Sequence, residues 1–299
     1  MRIVVTGGEG FIGRNIIWKA KELGWETISL DIVDGTSVAD HKIKCNILSR
    51  DCLYQTFRDC DYVFHNAAVT SPPQFEDDPA TGFEVNSQGT FNVLDAAARN
   101  SVRKVMLASS SAIYGNGRIF REDFTPREFI SVYPMTKSIN EMTARFFSDN
   151  TDTEVVSLRY FNTYGPGENT KGYYSSVIHK FISDLIKKRS PVIYGDGKQE
   201  RDFIYVEDVA SANIAAAKLG RGGEVYNVGT GTSLKFNEIF RIVKEEMGYD
   251  IEPRYEDIPF KTYQTFTRAD MKKTNKELQF FPRYDVKKGV RKILEAIST

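Results

Sequence analysis

The chain has 299 residues, with 40 Lys and Arg balanced by 40 Asp and Glu, and so carries no net charge at neutral pH. Hydrophobic residues make up 41% and charged residues 27%, the composition of a globular protein of two ordinary domains, or of one large domain with a lobe. The charge balance argues against nucleic-acid binding, and no apolar run approaches the ~18–20 residues needed to cross a bilayer.

Apolar, β-branched runs alternate with amphipathic ones from the first residues. "RIVVTG" reads as a strand and is followed by a helix over Phe11 to Gly24. "TISLDI", "HKIKCNI" and "YVFHNAA" read as the next three strands. A long helix is expected from Pro79 to Arg99, then the strand "KVMLASSS", a helix over about 133–149 and the strand "VVSLRYFN". These strands are apolar on both faces, the mark of parallel strands covered by helices. Strand–helix alternation of this length predicts a doubly wound α/β sheet, a Rossmann fold.

After Gly165 the pattern loosens, with one helix near Ser175–Arg189 before "RDFIYVEDVASANIAAAKL" and "EVYNVG" return to strand–helix–strand. The expected organisation is a dinucleotide-binding unit over 1–164 with a return segment at about 201–229. A smaller substrate-binding lobe comes from 165–200 and 230–299. No linker, low-complexity segment or internal repeat interrupts it.

Cys45, Cys52 and Cys60 are too few, and odd in number, for a disulfide framework, so three packed, reduced thiols are expected. His41, His65 and His179 are scattered, which suggests neither a zinc site nor a histidine triad. The opening "MRIVVTGGEG" enters a strand at once and leaves no room for a signal peptide, so a cytoplasmic protein is expected.

"TGGEGFIG" sits between the first strand and the first helix and contains Gly7, Gly8, Gly10 and Gly13. Glycines there let the backbone turn sharply and approach a pyrophosphate, which then rests on the helix N-terminus. Asp31 ends the second strand, 18 residues beyond Gly13 (31 − 13), where a ribose-binding carboxylate belongs. Its charge repels a 2′-phosphate, and "DIVDGTS" brings no cation to neutralise one, so NAD is expected rather than NADP. The small residues of "HNAA" (His65 to Ala68) let a cofactor lie over the end of the fourth strand. Asn86 is placed to meet the nicotinamide ribose.

"SVYPMTK" sets Tyr133 and Lys137 four residues apart, on one face of a helix whose first turn accepts Pro134. A free tyrosine, with pKa near ~10, is a poor base. A neighbouring ammonium favours the phenolate. The strand ending "ASSSAIYG" delivers serines to the carboxyl edge of the sheet, where parallel sheets bind ligands. Ser110 is the candidate to share a hydrogen bond with a substrate hydroxyl, and Ser109 and Ser111 are its near alternatives.

With these residues in place the chain resembles the extended short-chain dehydrogenase/reductases of the nucleotide-sugar epimerase/dehydratase group. The resemblance runs end to end through "TGGEGFIG", "HNAA", "SSSAIYG", "YPMTK", "LRYFNTYGPG", "GDGKQERDFIYVEDVA" and "YNVGTG". It implies Ser110, Tyr133 and Lys137 as the catalytic trio. The implied cofactor set is Gly7, Gly10, Phe11, Ile12, Gly13, Asp31, Asn46, Ile47, Ala67, Ala68 and Asn86, together with Tyr133 and Lys137. The implied substrate contacts are Thr70, Ser110, Ser111, Asn162, Tyr173, Arg201 and Tyr263. Arg201 suits a diphosphate chemically, because a guanidinium forms paired hydrogen bonds with phosphate. A homodimer through the helices near 79–99 and 133–149 is implied as well.

Dehydratases and the decarboxylase of this group carry acids just after the catalytic Ser/Thr. Ser111 and Ala112 stand there instead, which leaves epimerisation by transient oxidation. The leading expectation is a UDP-sugar 4-epimerase of the UDP-glucose/UDP-galactose type. "NTKGYYSS" and "KTYQTFTRADM" also resemble ADP-glyceromanno-heptose 6-epimerase, which makes Lys171 a second acid/base and Tyr263 a sugar contact. That family prefers NADP and uses a lysine shortly after the strand-2 acid, where Thr36 and Ser37 stand in this chain. A nucleotide-diphospho-heptose epimerase or dehydrogenase is therefore the alternative. A non-catalytic NAD-sensing scaffold is the reading from another class.

Overall fold

A computed structural model of the protein describes residues 1–70, 75, 78–118, 120–124, 128–168, 175–259 and 264–298. The first strand, β1 (Arg2–Thr6), shows how the layers are made. Ile3 and Val5 pack on one face with Ile16 and Ile17 of helix α1 (Phe11–Glu22). Val4 packs on the other face, with Val93 and Leu94. All are buried, so the strand needs helices on both sides.

The chain continues through β2 (Glu26–Asp31), β3 (His41–Lys44), helix α2 (Arg50–Thr56) and β4 (Tyr62–His65). Helices α3 (Pro79–Phe83) and α4 (Gly89–Arg99) are joined by a π-helical turn at Glu84–Gln88, in place of the one unbroken helix expected. Strand β5 (Lys104–Ser110), helix α5 (Val132–Asn150), β6 (Glu154–Tyr160), β7 (Asn162–Tyr164) and helix α6 (Val177–Ile186) follow. Next come β8 (Val192–Tyr194), β9 (Glu200–Arg201), β10 (Phe203–Tyr205), helix α7 (Val206–Leu219) and β11 (Val225–Val228). The chain closes with β12 (Leu234–Lys235), helix α8 (Phe236–Met247), β13 (Arg254–Glu256) and helices α9 (Lys272–Glu277) and α10 (Val286–Ser298).

Seven strands form one sheet in the order β11-β6-β5-β4-β1-β2-β3, with every pairing parallel. The order reverses between β1 and β4, and ligands of doubly wound sheets bind at such a reversal. The expected Rossmann architecture is therefore present. Helix α2 is an addition: seven residues are too few to announce themselves by periodicity. A third cluster of buried residues lies apart from the two that line the sheet. It joins Tyr164, Ile178, Phe181, Tyr205, Phe240 and Val290.

Asp202 fastens this region to the end of β11. It is fully buried, and its carboxylate accepts from the backbone N–H groups of Thr230 (2.8 Å), Gly231 (2.9 Å) and Ala269 (3.0 Å) and from the Thr230 hydroxyl (2.6 Å). Burial raises its pKa, and the four donors oppose that shift.

The cysteine expectation needs correction. Cys45 and Cys52 form a disulfide with Cα atoms 6.4 Å apart, and only Cys60 is a free, buried thiol. The turn from the end of β3 into α2 folds the two cysteines together, a contact that their spacing alone does not reveal. Among the described residues no helix is long and apolar enough to cross a membrane.

Replacing Asp202 by Ala would remove the acceptor of three backbone N–H groups, that of buried Ala269 and those of half-buried Thr230 and Gly231. With a cost of about 1–3 kcal/mol for a buried unsatisfied group, urea titration of Asp202→Ala should show a loss of at least ~1 kcal/mol. An unchanged midpoint would show that the carboxylate holds nothing.

Candidate active site

The sheet brings the candidate residues to its carboxyl edge. Ser110 is the last residue of β5, and its hydroxyl accepts from Ala112 N at 3.1 Å, which turns the chain out of the strand. Tyr133 lies in the first turn of α5, beside Pro134. The Ser110 side chain is close enough to the Tyr133 phenol to draw its pKa down, and the Phe75 ring meets that phenol edge-on, with centroids 5.8 Å apart. Ser109, on the opposite face of β5, is bonded to Glu141, while Ser111 is buried in the turn. Of the three serines, Ser110 is the one that reaches the tyrosine.

Lys137 lies one turn beyond Tyr133, with its ammonium 5.9 Å from the Tyr133 ring centroid. It is only 5% exposed, and its Nζ donates to the carbonyl of Ala108 at 2.9 Å. Burial raises the phenol pKa above its ordinary value, with Ser110 pulling it back. Burial also lowers the Lys137 pKa to about 8, and the charge of Glu141 resists that fall. The phenol is thus shifted upward by desolvation, not downward as the neighbouring ammonium leads one to expect. A neutral phenol beside a lysine near its titration point is a pair able to pass a proton in either direction.

Sequence reasoning missed the groups behind this pair. Glu141, four residues after Lys137, accepts two hydrogen bonds from the Arg159 guanidinium, at 2.9 and 2.7 Å, in a buried ion pair. Arg159 lies over the Tyr114 ring at 4.7 Å. The i, i+4 spacing of Lys137 and Glu141 was the available signal. His65 is buried between the hydroxyls of Thr6 (2.7 Å) and Thr90 (3.0 Å). Burial, and then the charge of Lys137, lowers its pKa to about 3, so it stays neutral.

The glycine loop fits a dinucleotide. Gly7 has φ +66°, and a Cβ there would lie 2.8 Å from Ala67 N. A Cβ on Gly13 would lie 2.1 Å from Gly7 O. The loop therefore closes on itself only with hydrogens at these positions, and it leads directly into the start of α1, the end of a helix that favours a phosphate. Gly10 caps that helix and accepts from Arg14 N. Asp31 accepts from Glu9 N at 3.0 Å and from Ile32 N at 2.8 Å. Ala67 and Ala68 follow β4 beside this loop, and Thr70 stands exposed at the end of the same segment.

Several expected contact residues have partners within the protein. Asn86 is buried in the π turn, bonded to Val69 N (2.8 Å), Val69 O (2.9 Å) and Thr136 Oγ1 (3.3 Å). Its amide holds the segment after β4. Ile47 is buried against Gly89, whose added Cβ would lie 2.5 Å from it, while Asn46 turns back on Leu48 N at 2.9 Å. Asn162 donates to Asp202 O at 3.0 Å and Thr267 Oγ1 at 3.2 Å. Arg201, mostly buried, donates to Glu200 O at 3.0 Å and to Gln264 O, with its guanidinium 5.7 Å from the Phe236 ring centroid. Lys171, Tyr173 and Tyr263 lie outside the described residues. A cavity of about 520 Å³ bordered by Arg118, Phe266 and Arg268 contains none of the candidate groups.

The doubly wound sheet and its glycine cradle define a dinucleotide-dependent α/β enzyme. Comparison with known proteins makes the class specific. Residues 3–229 match the model of the NAD dependent epimerase/dehydratase family. The chain is 33% identical to a Methanocaldococcus jannaschii protein provisionally named UDP-glucose 4-epimerase, over 98% of this chain and 97% of that one. It is 32% identical to the ADP-L-glycero-D-manno-heptose-6-epimerase of Brachyspira hyodysenteriae, over 99% and 97%. The solved UDP-glucose 4-epimerase of Thermotoga maritima, a complex with UDP-glucose, superposes with a TM-score of 0.93 at 30% identity, over 100% and 99%. The chain belongs to the NAD-dependent epimerase/dehydratase family, as an NAD-dependent nucleotide-sugar epimerase of the extended short-chain dehydrogenase/reductase type.

Lys137 links the site to stability. Its folded pKa of about 8 lies below the ordinary 10.5, so between these values the unfolded chain holds the proton that the folded chain has lost. Stability therefore gains from this group as pH rises from 8 to 10.5. Lys137→Met removes that gain, of the order of 3 kcal/mol. The difference between wild-type and variant unfolding free energies should grow in favour of the wild type across this window. A pH-independent difference would place the lysine in water.

Proposed function

We propose that the protein is a nucleotide-diphosphate-sugar 4-epimerase of the UDP-glucose/UDP-galactose type. The observation that carries the reading is the convergence of Ser110, Tyr133 and the buried Lys137 at the carboxyl end of β5. Bound NAD supplies reversible hydride acceptance at the sugar carbon. Tyr133 takes the proton of the sugar hydroxyl and later returns it. Ser110 orients that hydroxyl from its place beside the phenol. Lys137, fixed by Ala108, supplies the positive charge that favours the phenolate and holds the ribose hydroxyls. Asn162 and Arg201 hold the diphosphate or sugar, with Thr70 and Ser111 lining the approach. Residues 1–164 with 201–229 act as the cofactor unit, and the remainder as the substrate lobe.

The similarity to a heptose 6-epimerase supports a second reading, a nucleotide-diphospho-heptose 6-epimerase or dehydrogenase. The proposed trio disfavours a non-catalytic NAD sensor, which needs no proton-transfer group. The reading includes a cytoplasmic homodimer. Its support is an apolar patch on α4 and α5, where Phe91, Met142 and Phe146 are 44%, 71% and 59% exposed.

Incubation with UDP-galactose, UDP-N-acetylgalactosamine, ADP-heptose or GDP-heptose, followed by NMR, should show inversion at C4 of a UDP sugar without accumulation of NADH. Tyr133→Phe should lower turnover by a factor of about 100 or more and leave NAD bound. Inversion at C6 of a heptose selects the second reading, and full turnover by Tyr133→Phe defeats both. For assembly, Met142→Glu with Phe146→Glu should convert a dimer to a monomer in light scattering. A monomeric wild-type protein would contradict the dimer.

A further inference from the structure

Glu9 stands inside the glycine loop, a place where a long acidic side chain has no part in turning the backbone. Its carboxylate accepts from the hydroxyls of Ser29 (2.6 Å) and Ser37 (2.5 Å) and from Ser37 N (2.8 Å). Its own N–H donates to Asp31. One short network therefore ties the glycine loop, β2 and the segment after β2. A Cβ on Gly35 would lie 2.0 Å from Glu9 Oε2, so that segment is pressed directly against the carboxylate.

Glu9 and Asp31 share a small cavity of about 160 Å³ with Asp34, Lys42 and Lys44. The two lysines of this cavity are each engaged by a partner on its own wall. Lys44 pairs with Asp34 at 2.9 Å, and Lys42 donates to Gly35 O at 3.0 Å. The hydrogen bonds from Ser29 and Ser37 and the charge of Lys42 overcome the effect of burial and keep the Glu9 pKa below its ordinary value, so it is ionised at neutral pH.

We infer that Glu9 is a second specificity residue beside Asp31, selecting NAD against its 2′-phosphorylated form. Asp31 offers an acceptor for a ribose hydroxyl. Glu9 adds a second fixed negative charge on the same cavity, and like-charge repulsion disfavours a dianionic phosphate beside two carboxylates. Three separate donors hold Glu9 here, the Ser29 hydroxyl, the Ser37 hydroxyl and the Ser37 backbone N–H, so loss of the Ser37 hydroxyl alone leaves the carboxylate in place. The inference concerns the cofactor alone and stands whichever sugar is the substrate.

The test is competition of NAD and NADP against bound NADH, read by nicotinamide fluorescence, on wild type, Glu9→Gln and Ser37→Ala. Glu9→Gln removes the charge and keeps the shape. It should narrow the preference for NAD over NADP about tenfold or more while NAD affinity stays within about threefold. Ser37→Ala keeps the charge and loosens the segment, and should leave the preference unchanged. An unchanged preference in Glu9→Gln, an equal loss for both cofactors, or a shift in Ser37→Ala as large as that in Glu9→Gln would each overturn the inference.

Discussion

The hydrogen bond from the Lys137 ammonium to the carbonyl of Ala108, 2.9 Å long, is the contact on which the site depends. It pins helix α5 to strand β5 two residues before that strand ends. Helical geometry then fixes Tyr133 one turn back, at the level of Ser110. A parallel strand, a serine at its end and a helix running beside it are common features. Their common height is set by this one bond.

Burying an ammonium is costly, and the fold offsets that cost nearby. Glu141 provides the compensating charge, Arg159 neutralises Glu141 in turn, and the Tyr114 ring lies beneath Arg159. On the other side His65 stays neutral between two threonine hydroxyls and adds no competing positive charge. Lys137 is thereby kept near its titration point, able to hold its proton without holding it tightly. The same economy of charge governs the cofactor end, where carboxylates are fixed by serine hydroxyls and backbone N–H groups and the lysines are engaged by Gly35 O and Asp34.

The sheet is legible in the sequence because its strands are apolar on both faces, as "RIVVTG" and "KVMLASSS" are. The glycine loop is legible because Gly7 and Gly13 answer a steric demand that no other residue meets. Tyr133 and Lys137 are legible through helical spacing. What escapes depends on contacts far apart in the chain. Arg159 reaches Glu141 only once β6 lies beside β5. Asn86 has a position that suits a ligand contact, yet its amide is engaged by Val69, a backbone partner that sequence does not announce. Cys45 and Cys52 look like separate thiols because nothing in a spacing of seven marks the turn into α2 that joins them. Ionisation is hidden for a related reason. Proximity of Lys137 to Tyr133 is visible, but the extent of burial, which shifts both pKa values, belongs to the folded state.

The most direct measurement follows the hydrogen on the inverted carbon. UDP-galactose carrying deuterium at C4 is converted in ordinary water, and the product is examined by NMR. If Tyr133 removes only the hydroxyl proton and the carbon-bound hydrogen leaves and returns as hydride, UDP-glucose retains its deuterium at C4. Replacement of that deuterium by solvent hydrogen would mean that the carbon itself is deprotonated, and the roles assigned to Ser110, Tyr133 and Lys137 would fail together.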